Sequence, residues 1–282
     1  MDIDAIRNFR LAPIEHRFTA KDSILYALGL GFGERPSDPL HLQFVYEKDL
    51  KAVPSAVVVL AHPGFWVNSP TLKIDWIKIL HGEQSFEIFS ALPAEGVVRG
   101  EYDIVAVEDK GPEKGAIMHV VKRLYAAADG RLLAAVTSVY MLRGDGGQGG
   151  FGVVPDPPAP LPDGAADVTL ELRTLPQSAF IYRLSGDLNP IHADPEAAAR
   201  AGFPRPILHG LCSMGLATRA LIETICGGDP SRVRAVSLRF SKPLFPGETV
   251  RMEFFRTDHG VRFRACAVER DVVVLDRGTA IC

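Results

Sequence analysis

The chain has 282 residues, a net charge of −3, 47% apolar residues and 23% charged ones. That length fits two domains or one large one, and the composition supplies a sizeable core, which excludes a disordered chain. So small a net charge argues against a nucleic-acid or anionic-membrane partner, and no apolar run reaches the length that a bilayer span needs.

The N-terminal run MDIDAI is acidic and lacks a signal-peptide pattern, and the final AIC is no peroxisomal address of the Ser-Lys-Leu kind. Cys212, Cys226, Cys266 and Cys282 show no CxxC spacing, so they read as reduced thiols without a metal site. A cytoplasmic protein is the expectation.

In the first half a short helix is expected over 22–30, with Asp22 or Thr19 as its cap and glycines 29, 31 and 33 to break it. Residues 35–55, rich in proline and charge, read as loop. Residues 56–61 read as an apolar strand leading to His62. Strand candidates follow at 74–91, 97–108, 116–128 and 131–143, with Asp129-Gly130 as a hairpin turn between the last two.

Residues 144–167 read as a linker, a glycine-rich run followed by Pro155, Pro157, Pro158, Pro160 and Pro162, with neither part able to form helix or strand. Gly144, Gly146 and Gly149 formally match a dinucleotide fingerprint. The run opens onto prolines and not onto a helix, so no amide-lined helix end is there to hold a phosphate.

The second half repeats the plan. A strand over 168–174 is followed by a short helix over 177–184 and another over 195–201, with Asp194 as its cap. The longest helix, 209–226, is stopped by Gly227-Gly228 and is apolar nearly all round, which places it in a core. Four strands follow at 231–241, 248–257, 260–269 and 271–281. Each half is thus helical elements and then antiparallel strands, an α+β duplication with domains at 1–143 and 168–282. The halves align loosely, 18–22 on 182–187 and 61–64 on 208–210.

The chemistry concentrates in residues 182–192, YRLSGDLNPIH, and 206–212, PILHGLC. Asp187 and His192 are five positions apart, the wrong interval for one helix face. Asn189-Pro190 between them is a turn signal, so the chain bends and returns the imidazole beside the acid. An acid and an imidazole sharing a bend can hold one water molecule.

These two runs resemble the signatures of the R-specific enoyl-CoA hydratases, also called hydratase 2 or MaoC-like dehydratases. Tyr182, Ser185, Gly186, Asp187, Asn189, Pro190, Ile191 and His192 fill every position of the first pattern, and 206–212 matches the second in the right order. Shorter shared phrases in the first half are LHGEQ at 80–84, Asp109-Lys110-Gly111 and the glycine-rich linker. The resemblance covers nearly the whole chain and implies a double hotdog, each half a long buried helix wrapped by a curved antiparallel sheet. The first half lacks the Asn-Pro-Ile-His segment, so only the second copy is expected to be catalytic.

The implied reaction is reversible syn hydration of a trans-2-enoyl-CoA to the (R)-3-hydroxyacyl-CoA. Asp187 and His192 would act as the acid–base pair, burial raising the carboxyl, and Asn189 would orient the water or the imidazole. Gly210, in the first turn of the long helix, would offer its amide to the thioester oxygen. For substrate contact the resemblance points to His81, Gly82, Lys110, Leu188, Pro190, Ile191 and Phe240, and spacing adds Arg205 and Lys242. His209 is expected to brace the loop, and Cys212 to be core. No cofactor is expected, since coenzyme A is part of the substrate. The first half, free of catalytic residues, offers room for a medium or long acyl chain. A monomer and a homodimer of double hotdogs both fit. The competing readings are a thioesterase on the same fold, a non-catalytic acyl-CoA-binding subunit, and dehydration of a carrier-protein thioester by the same groups.

Overall fold

The computed structural model describes residues 1–156 and 160–282. In chain order the first half runs α1 (Ile3–Asn8), β1 (Ile14–Phe18), α2 (Ala20–Gly29), α3 (Pro39–Val45), β2 (Ile79–Ile88), β3 (Gly96–Asp109), β4 (Ala116–Ala126) and β5 (Leu132–Leu142). The second runs β6 (Val168–Arg173), α4 (Ser178–Tyr182), α5 (Pro195–Arg200), α6 (Gly210–Thr224), β7 (Ala235–Phe240), β8 (Thr249–Thr257), β9 (Gly260–Ala267) and β10 (Val272–Ile281).

Among the described residues ten strands form one antiparallel sheet in the order β1-β3-β4-β5-β2-β7-β10-β9-β8-β6. The order is a palindrome: each half is threaded alike, and the halves join where β2 pairs with β7, Phe86 opposite Val236. Such a join leaves edges only at β1 and β6, both short, which limits edge-to-edge association. The expected α+β duplication is therefore present, with its expected strands other than that at 56–61. Gly130, at φ +70°, makes the expected turn between β4 and β5.

Capping explains the helix starts. The Thr19 side chain accepts from the Asp22 amide and the Asp22 carboxylate accepts from the Thr19 amide, so the two expected caps are one reciprocal box. Asp194 caps α5 through the Glu196 amide at 2.8 Å, with Pro195 in the first turn. α6 runs through the core, buried from Cys212 to Ile222, and Gly227 and Gly228 (φ +62° and +82°) follow it as expected.

Four expectations are corrected. Residues 35–55 contain α3, begun by Asp38, whose side chain accepts from the Leu40 amide, and by Pro39 at the first helical position; the surrounding charges hid Phe44, which is fully buried. Residues 56–61 are not a strand. Pro54–Val58 is a single 3-10 segment, buried throughout, and a short apolar run buried on all sides carries no period that separates the two readings.

The proposed alignment of the halves also shifts. Phe18–Asp22 closes β1 and opens α2, so its counterpart by element order is the junction of β6 and α4, not the stretch that ends at Asp187. Likewise Ala61 follows the buried 3-10 segment whereas His209 precedes α6. Finally, the glycine-rich run is packed. Phe151 bridges Val107 through paired backbone bonds of 2.9 and 3.0 Å, and the Asp109 carboxylate accepts from the amides of Gly111, Gly147 and Gly149 at 2.7–2.8 Å. A Cβ at Gly150 would lie 2.3 Å from the Val107 carbonyl oxygen, so these glycines serve close backbone approach and their amides are committed to the chain's own carboxylate. Pro157 and Pro158 of the expected linker lie outside the described residues.

Candidate active site

The loop between α4 and α5 builds the centre of the site. After α4 a 3-10 turn, Arg183–Ser185, ends at Gly186 with φ +120°, a value L side chains rarely adopt, and the chain turns sharply into Asp187. The Asp187 Oδ1 accepts from the Asn189 amide at 3.1 Å, an Asx turn that leaves Oδ2 free. The Asn189 Oδ1 accepts from the Ile191 amide at 3.2 Å and caps the turn Pro190–His192. The Asn189 oxygen thus holds the turn that presents His192.

His192 is buried and its Nδ1 donates to the Ile207 carbonyl at 2.9 Å, which leaves Nε2 without a proton and 3.9 Å from Asp187 Oδ2. Burial pushes the His192 pKa below its ordinary value, with Asp187 and the Ile207 carbonyl opposing the shift. The ring is therefore neutral at pH 7 and its Nε2 is a lone-pair acceptor. Asp187 keeps 40% of its side chain exposed, so the burial expected around it is only partial.

His209 completes the cluster. It is fully buried, donates from Nε2 to the Asp187 backbone carbonyl at 3.1 Å, and stacks on His192 with ring centroids 3.7 Å apart. Burial, then the neighbouring His192, pushes it down to about 4. It braces the loop, as expected. Asp187, His192 and His209 each offer a donor atom within 4.8 Å of the others, close enough to hold an ion among the described residues. Each ring, however, already spends one nitrogen on a backbone carbonyl.

Gly210 follows directly as the first residue of α6, where its amide has no intrahelical acceptor. A Cβ there would meet the Phe240 ring at 3.1 Å, and Phe240 in turn packs against His81 with centroids 5.1 Å apart. The structure thus brings Gly210, Phe240 and His81 together from three elements, α6, β7 and β2. Gly82 sits at a register shift between β2 and β5, where a Cβ would lie 3.0 Å from the Met141 side chain. Leu188 is 61% exposed, Pro190 is exposed and Ile191 half-buried, all on the rim of the loop.

Among the described residues no contact joins Lys110 to this cluster; it lies in the turn between β3 and β4 with its ammonium on Glu108. Arg205 stacks on Phe245 at 4.8 Å and Lys242 is exposed. Cys212 is buried core, as expected, its Sγ 3.7 Å from the Gly29 carbonyl oxygen and its thiol pushed well up by burial. Sequence reasoning missed Tyr140, whose ring lies 5.2 Å from His81 and whose hydroxyl feels the Asp187 charge. The charge of Asp187 also reaches His62 and His81 of the first half; burial holds His81 at about 4. His81 lies on β2 and Tyr140 on its neighbour β5, and the pairing of β2 with β7 brings them to the second half.

Comparison with known proteins agrees with this geometry. The chain matches the MFE-2 hydratase 2 N-terminal domain over residues 16–144 and the MaoC like domain over 159–277. It is 36% identical to a probable enoyl-CoA hydratase 2 of Dictyostelium discoideum, over 100% of this chain and 96% of that protein. It is 34% identical to a peroxisomal enoyl-CoA hydratase 2 of Arabidopsis thaliana, over 96% and 93%. Among solved structures, a MaoC-like dehydratase from Phytophthora capsici superposes with a TM-score of 0.87 at 35% identity, over 100% of this chain and 98% of that one. A double-hotdog protein of Mycobacterium tuberculosis shares the fold at 16% identity, with a TM-score of 0.60. A complete, ordered match of this kind along both halves makes the chain a member of the MaoC-like dehydratase family, in its double-hotdog hydratase 2 branch.

Proposed function

We propose that the protein adds water reversibly, with syn geometry, across the double bond of a trans-2-enoyl-CoA to give the (R)-3-hydroxyacyl-CoA. One observation carries the reading: Asp187 Oδ2 and His192 Nε2, both acceptors, lie 3.9 Å apart. Neither can donate to the other. A water placed between them gives one O–H to each, and its oxygen lone pairs then point away, toward an electrophilic C3.

As the water attacks C3, one of the pair takes its proton. Its other hydrogen stays on the new C3 hydroxyl, and the proton taken up is passed on to C2 from the same side, so hydroxyl and proton add to one face. Negative charge develops on the thioester oxygen, and the Gly210 amide at the positive end of α6 meets it; such a contact is worth roughly 2.7–4 kcal/mol. Run backward, the same groups dehydrate the 3-hydroxyacyl thioester.

A cavity of about 210 Å³ opens beside the catalytic loop, against Leu184, Ser185 and Gly186, and reaches into the first half between Leu25, Tyr26, Ala56, Val59 and Leu60. It supports a medium or long acyl chain. His81, Gly82 and Phe240 are the proposed substrate contacts beside Gly210, and Leu188, Pro190, Ile191 and Lys110 are the proposed contacts of the CoA portion. Among the described residues no helix is long and apolar enough to cross a membrane. The proposed setting is the cytoplasm, as a monomer or homodimer, although relatives named as peroxisomal make a peroxisomal setting the alternative to check by localisation.

The stereochemical claim is tested by running the hydration in ²H₂O and reading the C2 configuration of the product by NMR. Deuterium on the same face as the new hydroxyl supports the single-water geometry; deuterium on the opposite face contradicts it.

A further inference from the structure

Lys122 breaks the pattern of β4. Along that strand the inward positions are Met118, Val120, Lys122 and Leu124, and Lys122 is as buried as the rest, at 3% exposure. In β9, the strand at the same place in the second half's sheet order, the buried positions are Val261, Phe263, Ala265, Cys266 and Ala267, with no charged residue among them. A buried ammonium is costly unless its donors are satisfied. The desolvation is large enough here to push its pKa down to about 7.

The satisfying groups are three backbone carbonyls. Lys122 Nζ lies 2.7 Å from the oxygen of Val57, 2.7 Å from that of Leu60 and 3.2 Å from that of Val58. All three belong to the end of the buried 3-10 segment, Pro54–Val58, and the turn after it. That segment occupies the place that α6 holds in the second half, but has five residues where α6 has fifteen. In a continuing helix the Val57 carbonyl would take the Ala61 amide and the Leu60 carbonyl the Gly64 amide. Both amides are diverted instead, Ala61 to His16 Nδ1 at 2.9 Å and Gly64 to His62 Nδ1 at 3.1 Å. Lys122 replaces the two lost donors at the two shortest of its contacts. The same segment supplies Ala56, Val59 and Leu60 to the wall of the cavity beside the catalytic loop.

We propose that Lys122 is a positioning residue for chain-length specificity: by substituting for the missing helical amides it fixes the shortened helix of the first half and so keeps open the pocket that receives the acyl chain. The inference rests on the reading of that cavity as the acyl pocket. Lys122 touches no substrate atom. It acts through the backbone of 57–60, so its removal lets that wall relax into the cavity and penalises long chains over short ones.

The test compares kcat/KM for trans-2-decenoyl-CoA and crotonyl-CoA in wild type, Lys122→Met and Ala56→Leu, each checked for folding by thermal denaturation. Lys122→Met is expected to lower the decenoyl-to-crotonyl ratio at least tenfold, mainly through the decenoyl KM. Ala56→Leu, which fills the cavity without touching Lys122, is expected to do the same. If Ala56→Leu shifts the ratio and Lys122→Met leaves it unchanged, the role of Lys122 is overturned and the pocket stands. If Ala56→Leu leaves the ratio unchanged, the acyl-pocket reading fails and the inference with it. Should Lys122→Met not fold, Lys122→Gln, which keeps an N–H donor, takes its place. Failure of both to fold would overturn the specificity role, since it would make Lys122 a residue of general stability.

Discussion

His192 and Asp187 face each other across 3.9 Å with no proton to share, because the Ile207 carbonyl has claimed the imidazole N–H. Two acceptors this close are stabilised by a third group that donates to both, and in the proposed mechanism the water of the reaction meets that need. Removing either acceptor leaves the water held at one point and free to rotate. Asp187→Asn and His192→Ala are each expected to lower kcat by about 10²–10⁴-fold with the melting transition intact, as read by enoyl-thioester absorbance and circular dichroism. Turnover near wild type in both variants would remove the pair from the mechanism.

Gly210 does two things that a double-mutant cycle separates. A methyl group there would lie 3.1 Å from the Phe240 ring, so Gly210→Ala displaces the ring that walls the site. Overpacking of this kind typically costs about 1–3 kcal/mol of stability. Phe240→Leu in the same chain makes room for the methyl and is expected to restore the melting temperature and part of kcat/KM. A double variant no better than Gly210→Ala alone would show that the clash is not the cause of the loss.

The buried histidines set the acid limb of both activity and stability. His192 has its pKa lowered by burial, so the rate is expected to hold until the pH falls below about 6.5 and then to drop as Nε2 protonates. A limb centred above that value would contradict the desolvated, neutral ring. For stability, His209 in the unfolded chain takes a proton near 6.5 but in the fold refuses it until about 4. The unfolded state then binds more protons between those values. Stability is therefore full above about 6.5 and is lost as the pH falls through about 4. Urea unfolding across that window, repeated with His209→Gln, is expected to show the slope in wild type and a shallower one in the variant.

Arg219, a buried cation of α6, ties the second half to the first. It is 1% exposed in the middle of α6, with Nε on Glu223 at 2.6 Å, NH1 on the Leu30 carbonyl at 2.9 Å and NH2 on Glu34. Arg35 and His41 of the first half close the network on Glu223. Truncating one member of a buried ion pair strands the other, a loss of roughly 3–5 kcal/mol. Arg219→Ala is expected to lower the urea midpoint accordingly while kcat per folded molecule stays close to wild type. An unchanged midpoint would mean that the network contributes no net stability.

Much of the catalytic loop was legible in the sequence because its signals are local. Asn189-Pro190 forces the bend, Asp194 and Thr19 announce helix starts, and Gly227-Gly228 marks the end of α6. What stayed hidden depends on partners far along the chain. Residues 56–61 look like a strand until Lys122, more than sixty positions away, is seen to supply the donors of a stunted helix. The glycine-rich run looks like a loose connector until Asp109 is seen holding two of its amides. Tyr140 and His62 have no local signature at all; their place beside Asp187 follows from the pairing of β2 with β7 and from the fold of the first half. Asn189 has chemical neighbours in the sequence that point to the water or the imidazole, and the structure adds a backbone duty for its oxygen, on the Ile191 amide.

The most direct test of the account is to mix the purified protein with crotonyl-CoA or trans-2-decenoyl-CoA and follow three readouts together: enoyl-thioester absorbance, free thiol and product chirality. The account predicts loss of absorbance with no thiol released and (R)-3-hydroxyacyl-CoA as the product. Release of free CoA would instead make the site a thioesterase, and an (S) product would place the water on the other face of the substrate; either result would contradict it.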